Sequence, residues 1–118
     1  MTREPNINNA TGGAKVKIAT KPTKAQKYQI VRTHFAGVFA GYIVSRNRAD
    51  VVMRDARRLW YWNGAASLSE LAVSGTSKPN GCKFPTPVPR VELLGVIEIL
   101  DVTPEAQKSI ESVPVWKA

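Results

Sequence analysis

Two glycines four residues apart, Gly37 and Gly41, interrupt the strand-forming run FAGVFAGYIVS. Val, Ile, Phe and Tyr fit a pleated, half-buried surface. Glycine inside such a run marks a bulge, a sharp bend or a close backbone approach. The pairing predicts a bent strand wrapping a small barrel or a tightly coiled sheet. GxxxG also pairs membrane helices, but this segment is too short and too β-branched to be one.

The neighbouring segments suit the same architecture. YQIVRT, from Tyr28, reads as a first strand. The polar stretch Ser45–Asp50 predicts a hairpin turning near Asn47, which tolerates positive φ. DARRLWYW then reads as a strand with Leu59 and Tyr61 on one side and Trp60 and Trp62 on the other. Aromatic residues on both faces imply that both faces are covered. Asn63-Gly64 ends this strand, and Ser67-Leu68-Ser69-Glu70 is a capping box that opens a short helix closed by Gly75. Pro85, Pro87 and Pro89 force an extended path whose amide-poor side cannot join a central ladder. VELLGVIEILD reads as one further strand, with Leu93, Gly95, Ile97 and Ile99 on one face. Thr103-Pro104-Glu105 opens a second helix that Pro114 ends, and Trp116 is expected to staple the terminus to the core. The fold class is α+β: a small, strongly curved, mostly antiparallel sheet or barrel-like core with two short helices.

A chain of 118 residues with 43% hydrophobic and 22% charged residues has the length and composition of one globular domain. No apolar run reaches the roughly 18 residues of a membrane span, and the N-terminus lacks a secretory apolar core. A single cysteine, Cys82, excludes an internal disulfide. Charge is unevenly placed. Residues 1–27 carry six basic side chains (Arg3, Lys15, Lys17, Lys21, Lys24 and Lys27) against one acidic, whereas the other 91 residues carry eleven against eight. Residues 1–26 also lack aromatics and any sustained apolar period, the composition of an extended, disordered arm preceding a β-rich domain over 27–118. Such an arm suits an acidic partner, whether nucleic acid or a protein surface. Within it KVKIAT alternates like a strand able to join a partner's sheet edge. Asn9-Ala10-Thr11 is read as a chance sequon.

The run from Tyr28 to Trp116 resembles a family of small proteins encoded by tailed bacteriophages and prophages. The likeness is carried by AGVFAG, ARRLWYWNGAASLSELA, CKFP and the IEIL-to-VPVW run, in that order. What the resemblance implies is a viral origin; it carries over no reaction and no catalytic residue.

Catalytic chemistry finds little to work with. His34 and Cys82 are the sole histidine and cysteine, and nothing in their spacing argues for a nucleophile–base pair. No His/Cys cluster has metal-ligand spacing, so neither a metal nor a cofactor is expected. GGAK at 12–15 lacks the spacing of a phosphate loop. Anion binding is better represented: Arg46, Arg48, Arg54, Arg57 and Arg58 fall within residues 46–58, directly before Trp60, Tyr61 and Trp62. Guanidinium for phosphate and ring for base is the chemistry of nucleotide recognition. The competing reading is that Arg57 and Arg58 begin a covered strand and pair with Asp50 and Asp55.

Two functions follow as expectations. The first is a non-enzymatic bacteriophage structural protein of the capsid-decorating or cementing type, attached to a capsid or other virion protein through its arm, homo-oligomeric, and found in the virion or host cytoplasm. The second is a phage accessory protein that captures a nucleotide signal or nucleic acid on the arginine–aromatic surface. Neither involves a membrane.

Overall fold

A computed structural model describes residues 26–118. The lysines and arginine expected in the arm at positions 3, 15, 17, 21 and 24 lie outside the described residues. Five strands form one antiparallel sheet: β1 (Tyr28–Thr33), β2 (Val38–Asn47), β3 (Asp50–Arg58), β4 (Val88–Leu93) and β5 (Val96–Asp101), in the order β4-β3-β2-β1-β5. Two helices complete the fold, α1 (Leu68–Ser74) and α2 (Pro104–Ser112), with a short 3-10 turn at Pro79–Gly81.

The topology dictates the curvature. β4 and β5 lie on opposite edges of the sheet, yet only Leu94 and Gly95 separate them. In a flat five-stranded sheet those edges would stand about 19 Å apart, whereas three consecutive Cα steps reach at most about 11 Å. The sheet must therefore curl until its edges approach at this end, although it does not close. Gly95 makes the bend at φ 78°, and the amides of His34 and Val96 donate to Gly95 and Ala49 at 2.9 and 2.8 Å. The single strand expected over VELLGVIEILD is thus two strands on opposite edges. Pro89 is accommodated because β4 is an edge strand.

Three irregularities let the strands bend. Register shifts lie between Arg32 and Thr33, between Ala40 and Tyr42, and between Ile43 and Ser45. At the second, Gly41 faces two β3 residues, Asp55 and Ala56, and Asp55 takes φ 51°. A Cβ on Gly41 would approach the Ala56 Cα to 2.9 Å and the Arg54 and Asp55 carbonyl oxygens to 3.0 Å. The glycine is required by close backbone approach, one of the alternatives that its place within a strand leaves open. The β2–β3 turn is made by Arg48 and Ala49, with Arg48 rather than Asn47 at positive φ.

Both faces of the sheet are buried. Val31, Phe39, Val51, Met53, Ala56 and Leu93, joined by Val96 and Ile99, draw on all five strands and on no helix, and so form the concave core. On the other face Ile30, Tyr28 and Ala40 pack against Leu71 and Ala72 of α1, Ile110 of α2, and Leu59, Phe84 and Val113. Double coverage therefore falls on β1 and β2 rather than on the aromatic run. β3 ends at Arg58; Trp60 and Tyr61 are 63% and 49% exposed, and only Trp62 packs partly against the core. Trp116 is likewise not a staple: it stays 43% exposed, while Val113 fills the core and the Trp116 amide donates to Phe84.

Helix ends follow the local code. Ser67 Oγ accepts from the Glu70 amide at 3.1 Å, and the Glu70 carboxylate reaches back to the Ala66 amide at 2.8 Å, one residue beyond the position the box implies. Thr103 Oγ1 accepts from the Ala106 amide at 3.0 Å and donates to the Val73 carbonyl at 2.7 Å, fastening α2 to the end of α1. Thr103→Ala should accordingly destabilise by about 1–2 kcal/mol, somewhat more than Ser67→Ala, as urea denaturation will show.

Candidate functional site

The bulge at Asp55 decides where the arginines go. On a regular strand residues 54 and 57 would point to opposite faces; the extra residue puts both on the helix-covered face. Arg54 is 1% exposed, lies 4.9 Å over the Tyr42 ring, donates from Nη1 to the Asp55 carboxylate in an ion pair and donates from Nε to Gln26 at 3.2 Å. Its Nη2 has no hydrogen-bond partner among the described residues. Arg57 is 5% exposed and is engaged by four main-chain carbonyls: Pro85 at 3.1 Å, Ile110 at 3.0 Å, Phe84 at 3.1 Å and Val113 at 2.6 Å. Burial lowers its pKa from the ordinary value, but a guanidinium remains charged. Arg57 thus ties the 84–85 segment to the end of α2, and its donors are not open to a ligand. The expected pairing of Arg57 and Arg58 with Asp50 and Asp55 is replaced by these carbonyl contacts and by the Arg54–Asp55 pair.

Tyr28, beside Arg57, sits edge-on to Tyr42 with ring centroids 5.4 Å apart. Burial chiefly, and Glu111 next, keep its phenol neutral well above the ordinary value of 10.0, with Arg57 acting in the opposite sense. Unfolding releases the phenol to ionise near that ordinary value. Its contribution to stability is therefore complete below pH ~10 and is lost as pH rises further. Alkaline denaturation of wild type and Tyr28→Phe should diverge above pH ~10, the variant losing less.

Arg58, next in sequence, points the other way, toward the concave core. Its guanidinium lies 4.3 Å over the Phe39 ring, and Nη1 donates to the Ala36 carbonyl at 2.6 Å. It lines a cleft of about 360 Å³ with Phe35, Gly37, Val38, Trp60 and Trp62. The structure thus brings together Arg58, Trp60 and Trp62 of the residues singled out in the sequence, and it adds Phe35. That ring is 90% exposed on the β1–β2 loop, where the composition carried no signal for it. Arg46 and Arg48 stand apart on the exposed hairpin, lining a second cleft of about 300 Å³ with Val96–Ile99 of β5. Lys27, at the junction with the N-terminal segment, makes an exposed 3.8 Å pair with Asp101.

The loop carrying Phe35 is firmly pinned. The Thr33 amide and hydroxyl each donate to the Gly37 carbonyl at 2.9 Å, and the Ala36 amide donates to Thr33 Oγ1 at 2.7 Å. The His34 ring stands edge-on to Phe35, centroids 4.2 Å apart. Phe35 contributes nothing to either core, so Phe35→Ala should change unfolding free energy by less than about 0.5 kcal/mol. No group of three or more His, Cys, Asp or Glu able to hold a metal occurs among the described residues. No helix among them is long and apolar enough to cross a membrane.

Comparison with curated proteins and with solved structures gives no match. A family model, described as Domain of unknown function (DUF6948), matches residues 26–110, which takes in the whole sheet, α1 and most of α2, so the chain belongs to that family.

Proposed function

We propose that this chain is a non-enzymatic structural protein of a tailed bacteriophage, associated with the virion as a capsid-decorating or cementing protein and attached through its basic N-terminal segment. The observation that carries the reading is the exposure of Phe35 and Trp60 beside one cleft. Large aromatics held in water on a small domain mark a surface made for a partner. The charge excess over residues 1–27 supplies a second point of attachment. The phage assignment is supported by the resemblance of AGVFAG, ARRLWYWNGAASLSELA and CKFP to proteins of that origin. Capsid or another virion protein is then the partner, with the chain acting as a homo-oligomer in the virion or, before assembly, in host cytoplasm.

Co-sedimentation with purified capsids tests the attachment. Full-length protein should pellet with the particles, and deletion of residues 1–26 should reduce the pelleted fraction about tenfold or more. Equal, salt-resistant attachment of the deletion variant would contradict it.

A second reading, an accessory protein that captures a nucleotide or nucleic acid, is favoured by one specific feature. Arg58, Trp60 and Trp62 line a common cleft, the pairing of cation and ring that such ligands require.

A further inference from the structure

We infer that the cleft between the β1–β2 loop and the segment after β3 is a nucleotide-binding site, in which Phe35 and Trp60 stack on the base and Arg58 takes the phosphate. This inference rests on the second reading above and locates its ligand.

Three observations support it independently. The first is presentation. Phe35 is 90% exposed, yet its loop is held by the Thr33 bonds to Gly37 and Ala36 and by Arg58 on the Ala36 carbonyl. An apolar ring fixed in water by a rigid loop loses little entropy when a flat partner covers it. The second is charge. Arg58 is the one charged residue among those lining the cleft, and no carboxylate stands among them to neutralise it. Its Nη1 is engaged by Ala36, and among the described residues neither Nε nor Nη2 makes a hydrogen bond, which leaves donors for a phosphate oxygen. The third is size and lining. About 360 Å³ bounded by Phe35, Val38, Leu59, Trp60 and Trp62 suits one base with its sugar and phosphate.

The shared chemistry is a planar base carrying phosphate, which can come from a free mononucleotide or from a single strand. Stacking is tolerant of sequence, because every base offers a π face. A single strand would add the general attraction of a basic chain for phosphates and the salt dependence that goes with it.

The test is fluorescence titration of the full chain with AMP, with GMP and with a single-stranded oligothymidylate of about ten nucleotides. Phe35→Ala and Trp60→Ala should each weaken binding roughly five- to hundredfold while leaving thermal unfolding in place. Val73→Ala, exposed on α1 away from the cleft, should leave binding unchanged. Binding of AMP or GMP would identify a mononucleotide site, and binding of the oligonucleotide alone, weakened by salt, a single-strand site; both support the inference. Binding that survives Phe35→Ala and Trp60→Ala but is lost with Arg46→Glu or Arg48→Glu would overturn the location while keeping the second reading. If none of the three probes binds the wild-type chain at millimolar concentration, or if the two variants change only its oligomeric state, both fall. Virion attachment is read separately, by co-sedimentation.

Discussion

Arg57→Met is expected to lower the unfolding free energy by about 3–5 kcal/mol in urea denaturation. The side chain is 5% exposed and donates to the carbonyls of Phe84, Pro85, Ile110 and Val113. Methionine fills part of the volume but donates nothing, so the Pro85 and Val113 carbonyls are left without partners among the described residues, whereas those of Phe84 and Ile110 keep only the Trp116 and Val113 amides. An orphaned buried acceptor costs about 1–3 kcal/mol. Some relief will come from inward movement of water, so the four losses will not add. A buried ion pair can often be replaced by apolar residues at little cost because both charges leave together. Here the acceptors are main chain and cannot be removed. Arg57→Lys should recover only part of the loss, since an ammonium cannot match the planar fork that spans two segments. A cost below about 1 kcal/mol for the methionine variant would contradict the role assigned to Arg57.

Gly75→Ala is expected to cost about 3–4 kcal/mol by the same measurement, through two separable effects. Gly75 caps α1 at φ 77° and ψ −156°, a region that residues with a Cβ essentially never occupy. A Cβ there would also be driven into the Ser109 side chain of α2. Ser109 cannot withdraw freely, because its Oγ accepts from the Thr76 amide at 2.9 Å and donates to the Thr76 carbonyl at 3.2 Å. Moving either helix would disturb Leu71, Ala72 and Ile110 in the core beneath. Gly75→Ala/Ser109→Gly should relieve the clash but not the backbone strain. If the single variant were nearly neutral, the tight α1–α2 contact would be wrong.

These two residues mark the boundary of what was legible in the sequence. Helix ends depend on neighbours within four residues, so Ser67, Glu70, Gly75, Thr103 and Pro104 announced α1 and α2 directly. Gly41 announced a bulge, a sharp bend or a close approach, without saying which. The fate of Arg57 depends on the bulge at Asp55, which shifts the alternation of β3 by one residue and is set by pairing with β2. No local pattern reveals that shift, so a buried arginine looked like a surface one. The division of VELLGVIEILD into two strands has the same origin, because opposite sheet edges are a property of the whole topology. For the candidate cleft, the arginine and aromatic residue types were readable, and they converge as Arg58, Trp60 and Trp62. Phe35 was not readable. Its spacing fits the strand pattern of FAGVFAG, and only the Thr33–Gly37 loop turns it outward.

The most direct measurement of the proposed role is quantitative mass spectrometry of purified particles of the phage to which the proposal assigns this chain. The account predicts a fixed, reproducible copy number per particle in the wild type, falling about tenfold or more when residues 1–26 are deleted while the folded domain is still produced in the host. Absence of the chain from purified wild-type particles, with abundant protein in the host lysate, would contradict it.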